Sequence, residues 1–241
     1  MPSRFSGAAA AAYDAGRAPY VPEVVAALGL PRPPARVLDL AAGTGLLSRA
    51  LLAAGHEVVA VEPDPDMASR LPDGVEGRTA TAEATELAPA SVDAVVVGDA
   101  WHWFDAELAA TEVRRVLRPG GRLALVWRFS VAEQRPAALS GFYARLVAAR
   151  GEHPGFRGAR GREALDHHPG FTPFTHHEIA FVHRTTPAGL LAEAASASFV
   201  NAMPRRDAFL AELRRELENA GVGAVDVPYA ADVWLTRRAP G

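Results

Sequence analysis

The chain has 241 residues, 49% of them hydrophobic, and a formal net charge of -3. This size and apolar content predict one or two folded domains and argue against a disordered chain. The charge provides no basic surface for a nucleic-acid backbone, and the absence of cysteine excludes disulfides and thiolate metal sites.

The chain has no apolar run of the roughly eighteen residues that a transmembrane helix needs. The first twelve residues lack the apolar stretch of a secretory signal, so we expect a cytoplasmic enzyme. Every basic side chain apart from histidine is arginine, which removes Schiff-base chemistry on lysine.

Apolar periodicity and turn residues predict the first elements in chain order. Residues 3–30 are predicted to be helical, with a break between Pro19 and Pro22. Strands are predicted at 36–40, 57–62, 75–80, 92–98 and 122–127, with helices at 46–54, 64–71 and 105–117 and a turn at 119–121. This alternation is typical of a doubly wound, Rossmann-like α/β sheet.

After residue 128 the pattern changes to helices at 136–150, 187–195 and 205–220, a loop at 151–170, and strands at 174–183 and 229–237. The whole chain is therefore predicted to be one domain with a mostly parallel, seven-stranded sheet. Within it we expect a helical lid at 1–30, a cofactor-binding core at 36–128, an insertion at 130–170 and a C-terminal segment at 171–241.

A glycine-rich turn follows the first predicted strand. The run Val37–Gly45 ends in two glycines separated by Thr44, which let the backbone approach a ligand where a Cβ would clash. The helix that follows offers unpaired N–H groups, and Glu62 ends the second strand, where it can accept hydrogen bonds from ribose hydroxyls. This arrangement suits NAD and S-adenosylmethionine alike.

Two residues favour S-adenosylmethionine. A dinucleotide fingerprint requires a third glycine, but Ser48 occupies that position. Asp39 precedes the turn, and its carboxylate would repel a pyrophosphate but attract the ammonium group of a methionine moiety, directly or through water.

These motifs, in this order, resemble the class I methyltransferases, which use S-adenosylmethionine. Residues 39–45 resemble the first motif of that family, with Ala41 in place of its usual first glycine. Residues 61–67 resemble the second motif, Ala82-Glu83 the stretch beside adenine, and residues 92–121 the fourth strand and the turn before the fifth. An N-terminal lid motif matches as well, and the chain is most similar to the small-molecule subgroup typified by trans-aconitate methyltransferase.

The resemblance implies roles for individual residues. Glu62 would hold the ribose, Met67 and Ala82-Glu83 would frame the adenine, and Gly98 would bind an amino group through its carbonyl. Met67 equally fits a core position, and Glu83 could simply begin a helix. The remaining residues implied to contact the cofactor are Tyr13, Arg17, Tyr20, Asp39, Ala41, Gly43, Gly45, Pro63 and Trp101.

The segment Asp99–Asp105 follows the fourth strand, where doubly wound sheets bind ligands. His102 is the best candidate for a general base, because a histidine with its ordinary pKa, about 6.5, accepts a proton at neutral pH. It could instead only orient the acceptor. Asp99 is the second catalytic candidate; relatives often carry glutamine there, and an aspartate argues against a free carboxylate acceptor. Trp103 is predicted to contact the acceptor, or else to anchor the loop.

The lid and the insertion are predicted to cover the acceptor. Phe142, Tyr143 and Arg145 lie on one predicted helix and are candidate acceptor contacts, and Ser196, Ser198 and Asn201 could add polar ones. The paired histidines, His167-His168 and His176-His177, are interpreted as solvated, and no metal site is predicted.

We therefore predict methyl transfer from S-adenosylmethionine to a small-molecule hydroxyl or amine, in bacterial secondary metabolism. We expect a monomer or homodimer without a nucleic-acid or membrane partner. One alternative is a methyltransferase fold repurposed as a cyclase or a non-catalytic binding protein. A weaker alternative is an NAD-dependent oxidoreductase.

Overall fold

The computed structural model describes residues 8–151, 165–166 and 168–240. Residues 1–7 of the predicted lid, 152–164 of the predicted insertion, and His167 lie outside the described residues. The described chain divides into two compact units. The larger unit contains Tyr20–Arg128, the described residues within 157–179 and those from Ala231 onward. The smaller unit contains residues 8–19 and 129–151, together with Ala180–Ala230. The single-domain organisation stays a prediction.

The helices are α1 (Ala8–Gly16), α2 (Pro22–Ala27), α3 (Leu46–Ala53), α4 (Pro65–Ala68), α5 (Ala106–Val116), α6 (Ser140–Arg150), α7 (Pro187–Ser196), α8 (Ser198–Asn201) and α9 (Arg206–Ala220). The strands are β1 (Arg36–Leu40), β2 (Glu57–Val61), β3 (Glu76–Arg78), β4 (Val92–Gly98), β5 (Leu117–Ser130), β6 (Thr175–Thr185) and β7 (Val225–Arg237). None of the helices described is long and apolar enough to cross a membrane.

The seven described strands form one sheet in the order β3-β2-β1-β4-β5-β7-β6. β1 pairs in parallel with β2 and with β4, β2 with β3, and β4 with β5. The sheet is mostly parallel with one antiparallel hairpin, which confirms the predicted fold class. Because the chain builds outward from β1 in one direction and from β4 in the other, the strand order reverses between β1 and β4.

The central strands of the larger unit are buried on both faces. Four of the five residues of β1 are buried, as are five of the seven of β4, so these strands read as apolar runs rather than alternating patterns. Asp105 begins α5 by accepting a hydrogen bond from the N–H of Leu108. One face of that helix consists of alanine and valine side chains that pack into the core, namely Ala109, Ala110, Val113 and Val116.

Two predicted boundaries differ from the structure for identifiable reasons. The predicted turn at 119–121 is a bulge inside β5, because Leu117 pairs with Val92 and Arg122 pairs with Ala94, leaving the intervening residues looped out. β7 begins at Val225 rather than at Tyr229. The carbonyl of Pro228 accepts a hydrogen bond from the N–H of Val131, so this proline takes part in the strand although it has no N–H to donate.

The smaller unit has its own apolar core, built from helices and the ends of long strands. Its buried members are Ala18, Leu139, Phe142, Tyr143, Leu190, Ala194, Leu213, Leu217, Val227 and Tyr229. Helix α1 packs closely on α7, and Gly16 makes this approach possible. A Cβ built on Gly16 would lie 2.1 Å from the backbone nitrogen of Glu193.

We predict that Gly16→Ala lowers the free energy of unfolding by about 1–3 kcal/mol, because α1 must move away from α7 to admit the methyl group. Denaturant titration measures the change. The matched control is Gly223→Ala, since a Cβ on Gly223 meets no atom within 4 Å and its change should stay within about 0.5 kcal/mol. Equal stability of the two variants would contradict the proposed helix contact.

Candidate functional site

The turn after β1 has a left-handed backbone at three positions. Ala41, Gly43 and Gly45 have φ angles of 57°, 59° and 80°. Alanine pays a conformational penalty of roughly 1 kcal/mol there that glycine would avoid. Gly45 is also needed for packing, since a Cβ would lie 2.6 Å from Cδ of Pro72. The turn therefore holds a strained, glycine-dependent shape at the start of α3.

Asp39 and Ser48 form a buried pair beneath this turn. The hydroxyl of Ser48 donates a hydrogen bond of 2.6 Å to Oδ2 of Asp39, and both side chains are almost fully buried. Burial raises the pKa of the Asp39 carboxyl to about 7, the Ser48 hydrogen bond opposes this shift, and the negative charge of Glu62 adds to it. Ser48, which stands where a dinucleotide fingerprint has its third glycine, thus fixes the carboxylate of Asp39.

Glu62 stands beside the same turn at the end of β2. Its Oε2 accepts a hydrogen bond of 2.8 Å from the N–H of Gly43, and its Oε1 accepts one of 2.9 Å from the N–H of Asp64. Burial raises the pKa of this carboxyl, and the two backbone donors oppose the rise. A carboxylate oxygen has two acceptor sites, so each oxygen can still receive a hydroxyl. The structure thus brings the predicted ribose acid to the glycine turn.

The predicted adenine contacts are mostly buried. Met67 and Ala82 are 3% and 5% exposed, and Ala82 packs in the core of the larger unit. Pro63 is exposed. Glu83 accepts a hydrogen bond of 3.0 Å from the N–H of Asp105, so it ties the loop before β4 to the start of α5. Its observed contact is therefore structural, and its adenine role stays a prediction.

A second polar cluster, which we call the Arg128 cluster, lies at the end of β4. It consists of Tyr20, Asp99 and Arg128. Oδ1 of Asp99 accepts the backbone N–H of Arg128 at 2.9 Å, and Oδ2 accepts the guanidinium at 2.7 and 3.1 Å. The guanidinium lies 3.6 Å from the centre of the Tyr20 ring, a cation–π contact. Asp99 adopts a left-handed φ of 54° to make these bonds.

Gly98 precedes this cluster and packs directly against Tyr20. A Cβ on Gly98 would lie 2.1 Å from the Tyr20 hydroxyl, so glycine is required by the tyrosine. Sequence reasoning missed Arg128. Its position could have indicated a role, because Arg128 directly follows the predicted apolar strand 122–127. Asp99 likewise directly follows the predicted strand 92–98.

The aromatic segment after Asp99 divides into buried and exposed parts. Trp101 is fully buried in the core of the larger unit and meets Phe104 edge to face at 5.4 Å. Trp103 is 41% exposed, and its ring lies 4.7 Å from that of the partly buried His102. A core tryptophan thus anchors a short turn that carries His102 and Trp103 near the surface.

The remaining predicted residues lie in the smaller unit. The guanidinium of Arg17 lies 5.0 Å from the ring of Tyr13 and donates to Ser196 at 3.0 Å. Phe142 and Tyr143 are buried. Arg145 is an exposed residue in surface ion pairs with two glutamates of α9, and nothing in its contacts points to an acceptor.

The chain matches the family model described as a methyltransferase domain over residues 38–125. It is 40% identical over 201 residues to an uncharacterised methyltransferase of Mycobacterium tuberculosis, an alignment that covers 82% of this chain and 78% of the relative.

Solved structures give the same result. A chain from Anaeromyxobacter dehalogenans assigned as a type II methyltransferase has a TM-score of 0.66 and 26% identity, covering 92% of this chain and 97% of that one. Phosphoethanolamine N-methyltransferase 2 of Haemonchus contortus, bound to phosphomonomethylethanolamine and S-adenosylhomocysteine, shares the fold. Its TM-score is 0.56 at 16% identity, covering 96% of this chain and 57% of that one.

We predict that Arg128→Met lowers the free energy of unfolding by about 2–4 kcal/mol, because it leaves the Asp99 carboxylate without its guanidinium. The double variant Arg128→Met with Asp99→Asn should recover much of the loss, since asparagine tolerates a left-handed backbone and carries no charge. Denaturant titration of both proteins tests this. A double variant as unstable as the single one would show that the ion pair is not the cause.

We predict that Asp39→Asn changes how stability depends on pH. An acid whose pKa rises on folding binds protons more tightly in the native state, so the free energy of unfolding falls as pH rises from about 4 to about 7. Asparagine removes this titration and still accepts from Ser48. Over that range the variant should gain up to about 4 kcal/mol relative to the natural chain. Unfolding titrations at several pH values test this, and parallel curves would contradict it.

Proposed function

Because the chain belongs to the class I S-adenosylmethionine-dependent methyltransferases, we propose that it methylates a hydroxyl or amine of a small molecule. The observation that carries the proposal is His102, a partly buried imidazole just beyond the carboxyl end of β4. Hydroxyl and ammonium acceptors must lose a proton, whereas a carboxylate acceptor has already lost it, so a base at this edge fits the former. Membership of the trans-aconitate subgroup stays a prediction.

The residues around the glycine turn fit the cofactor. When bound, S-adenosylmethionine supplies a methyl group activated by its sulfonium. Glu62 would accept the ribose hydroxyls, because two backbone N–H groups already fix the orientation of its carboxylate. Asp39 has a pKa of about 7, and the ammonium of the methionine moiety would favour its ionised form. These acids disfavour the pyrophosphate of NAD.

His102 is the better supported of the two candidate bases. Both carboxylate oxygens of Asp99 already accept hydrogen bonds from the guanidinium and the backbone N–H of Arg128. The same pair occupies the guanidinium of Arg128, so this residue gives no support for a carboxylate acceptor. We assign His102 the removal of the acceptor's proton and Asp99 the positioning of the segment that carries it.

The reaction is an in-line displacement on an activated methyl group, and positioning supplies much of the rate. Exclusion of water by the aromatic segment around Trp103 would contribute further. His102 is therefore expected to adjust the rate rather than make the reaction possible. The relatives at 40% identity are mycobacterial, which supports a bacterial setting for the proposed reaction.

The test is release of S-adenosylhomocysteine from the natural chain with a panel of hydroxyl-bearing, amine-bearing and carboxylate-bearing small molecules. We expect release with members of the first two classes. His102→Ala should lower turnover by about 10²-fold or more and leave calorimetric affinity for S-adenosylmethionine unchanged, because the imidazole acts on the acceptor.

Glu62→Ala serves as the control that loses the cofactor. Carboxyl methylation as the main activity would overturn the acceptor class. Cofactor binding without release of S-adenosylhomocysteine on any panel member would favour the repurposed fold, and loss of cofactor affinity in His102→Ala would refute its assigned role.

A further inference from the structure

A buried carboxylate on α5 belongs neither to the glycine turn nor to the Arg128 cluster. Glu112 is 7% exposed and lies on the face of α5 that otherwise packs alanine and valine into the core. A charged group is costly in such a place unless hydrogen bonds compensate it. Its two partners are Thr85 and Arg115, and we call these three residues of the larger unit the Glu112 anchor.

The Glu112 carboxylate is held by four hydrogen bonds. Its Oε1 accepts one of 2.8 Å from the backbone N–H of Thr85 and one of 2.5 Å from the Thr85 hydroxyl. The guanidinium of Arg115 donates to Oε2 at 2.6 Å and to Oε1 at 2.7 Å. Burial opposes ionisation, but the hydrogen bonds from Arg115 and Thr85 outweigh it and lower the pKa of Glu112 to about 2. The carboxylate is therefore a charged acceptor with a fixed orientation.

The anchor fastens the connection between β3 and β4 to α5. The described residues of this connection belong to no helix or strand, and Thr85 is its fully buried member. The Thr85 hydroxyl also accepts a hydrogen bond of 3.3 Å from the N–H of Leu87. Glu83 makes a second attachment, because it accepts the N–H of Asp105, the residue that begins α5. A segment without secondary structure of its own thus takes its position from one helix.

The register of the sheet places residues 81–87 beside the glycine turn. β2 and β3 pair in parallel, and the N–H of Glu62 donates to the carbonyl of Arg78 at 3.1 Å. The chain after Arg78 therefore leaves the sheet at the edge where Glu62 meets the glycine turn. Ala82 belongs to the core cluster against which Ala41 of that turn also packs.

The order of the strands indicates which part of the cofactor lies towards this segment. Asp39 on β1 suits the ammonium of the methionine moiety, and Glu62 after β2 suits the ribose hydroxyls. β3 lies on the far side of β2 from β1. A cofactor that spans Asp39 and Glu62 therefore directs its adenine towards the residues that follow β3.

We propose that Glu112 is a positioning residue for the adenine of the cofactor. It fixes residues 81–87 through Thr85, so the segment that receives the base is in place before the cofactor binds. This inference rests on the cofactor assignment and goes beyond the proposed function, which gives α5 no part in binding. A segment held in its binding conformation loses less conformational freedom when the ligand binds, so an anchor that never touches the ligand raises affinity.

The experiment measures calorimetric affinity for S-adenosylhomocysteine and for adenosine, on variants shown by circular dichroism to be folded. Thr85→Val removes the hydroxyl and keeps the branched shape of the side chain. We expect it to weaken binding of both ligands by about threefold or more, because the anchor loses one of its hydrogen bonds. Thr85→Ser keeps the hydroxyl and should recover most of the affinity.

The matched control is Thr111→Val, the same exchange at an exposed threonine of α5 whose hydroxyl donates to the carbonyl of Glu107. It should leave both affinities unchanged. An anchor that only stabilised the fold would lower the free energy of unfolding of Thr85→Val and leave its affinities at their natural values, which would overturn the proposal. An equal loss in Thr85→Ser, or a loss for S-adenosylhomocysteine without one for adenosine, would also overturn it.

If Thr85→Val does not fold, hydrogen exchange of the natural chain replaces it. We expect saturating S-adenosylhomocysteine to slow amide exchange within residues 81–87 by about threefold or more, and unchanged exchange there would contradict the proposal. Neither measurement uses a methyl acceptor, so the proposed acceptor class can fail without affecting this result. A natural chain that binds neither ligand would overturn the positioning role together with the cofactor assignment.

Discussion

The site depends on the parallel pairing of β1 with both of its neighbours. In the observed register Asp39 lies level with Ala60 of β2 and Val96 of β4, so these strands end at nearly the same height. Parallel strands that share an edge place the residues following them together, although those residues are far apart in the chain. Glu62 therefore meets the N–H of Gly43, and Gly98 opens the neighbouring segment.

This edge concentrates buried acids. Asp39 and Glu62 are both held by donors that belong to the protein, the first by a serine hydroxyl and the second by two backbone N–H groups. Burial raises both pKa values, and the charge of Glu62 raises the pKa of Asp39 further. The ionised forms of these two acids are therefore disfavoured in the folded chain, and a ligand with hydroxyl and ammonium donors would stabilise them. This is expected for a binding site that is formed before its ligand binds.

The Arg128 cluster links this edge to the division of the chain into two units. The larger unit begins at Tyr20, and its main segment ends at Arg128. These two residues stack on each other, and Asp99 holds the guanidinium from the end of β4. Two of the points at which the chain passes from one unit to the other are therefore fixed to each other within the larger unit. The same contacts hold the start of the segment that carries His102, so Asp99 is a positioning residue for the proposed base.

The sequence by itself determined the succession of strands and helices along the chain through residue 128. It also determined the cofactor and the two acids beside the glycine turn. Those features depend on local patterns: apolar runs, a left-handed turn that needs glycine, and an acid after each strand. Tertiary structure decided the rest, because it depends on residues brought together by the sheet and by helix packing. Asp99 pairs with Arg128 on the adjacent strand. Ser48, which sequence analysis noted only as the residue in place of a third glycine, donates a hydrogen bond to Asp39. Trp101 is buried in the hydrophobic core of the larger unit. The hydrogen bond from the Tyr229 hydroxyl on β7 to Glu193 on α7 could not be predicted from the sequence. A contact between a helix and a strand far apart in the chain produces no characteristic residue spacing.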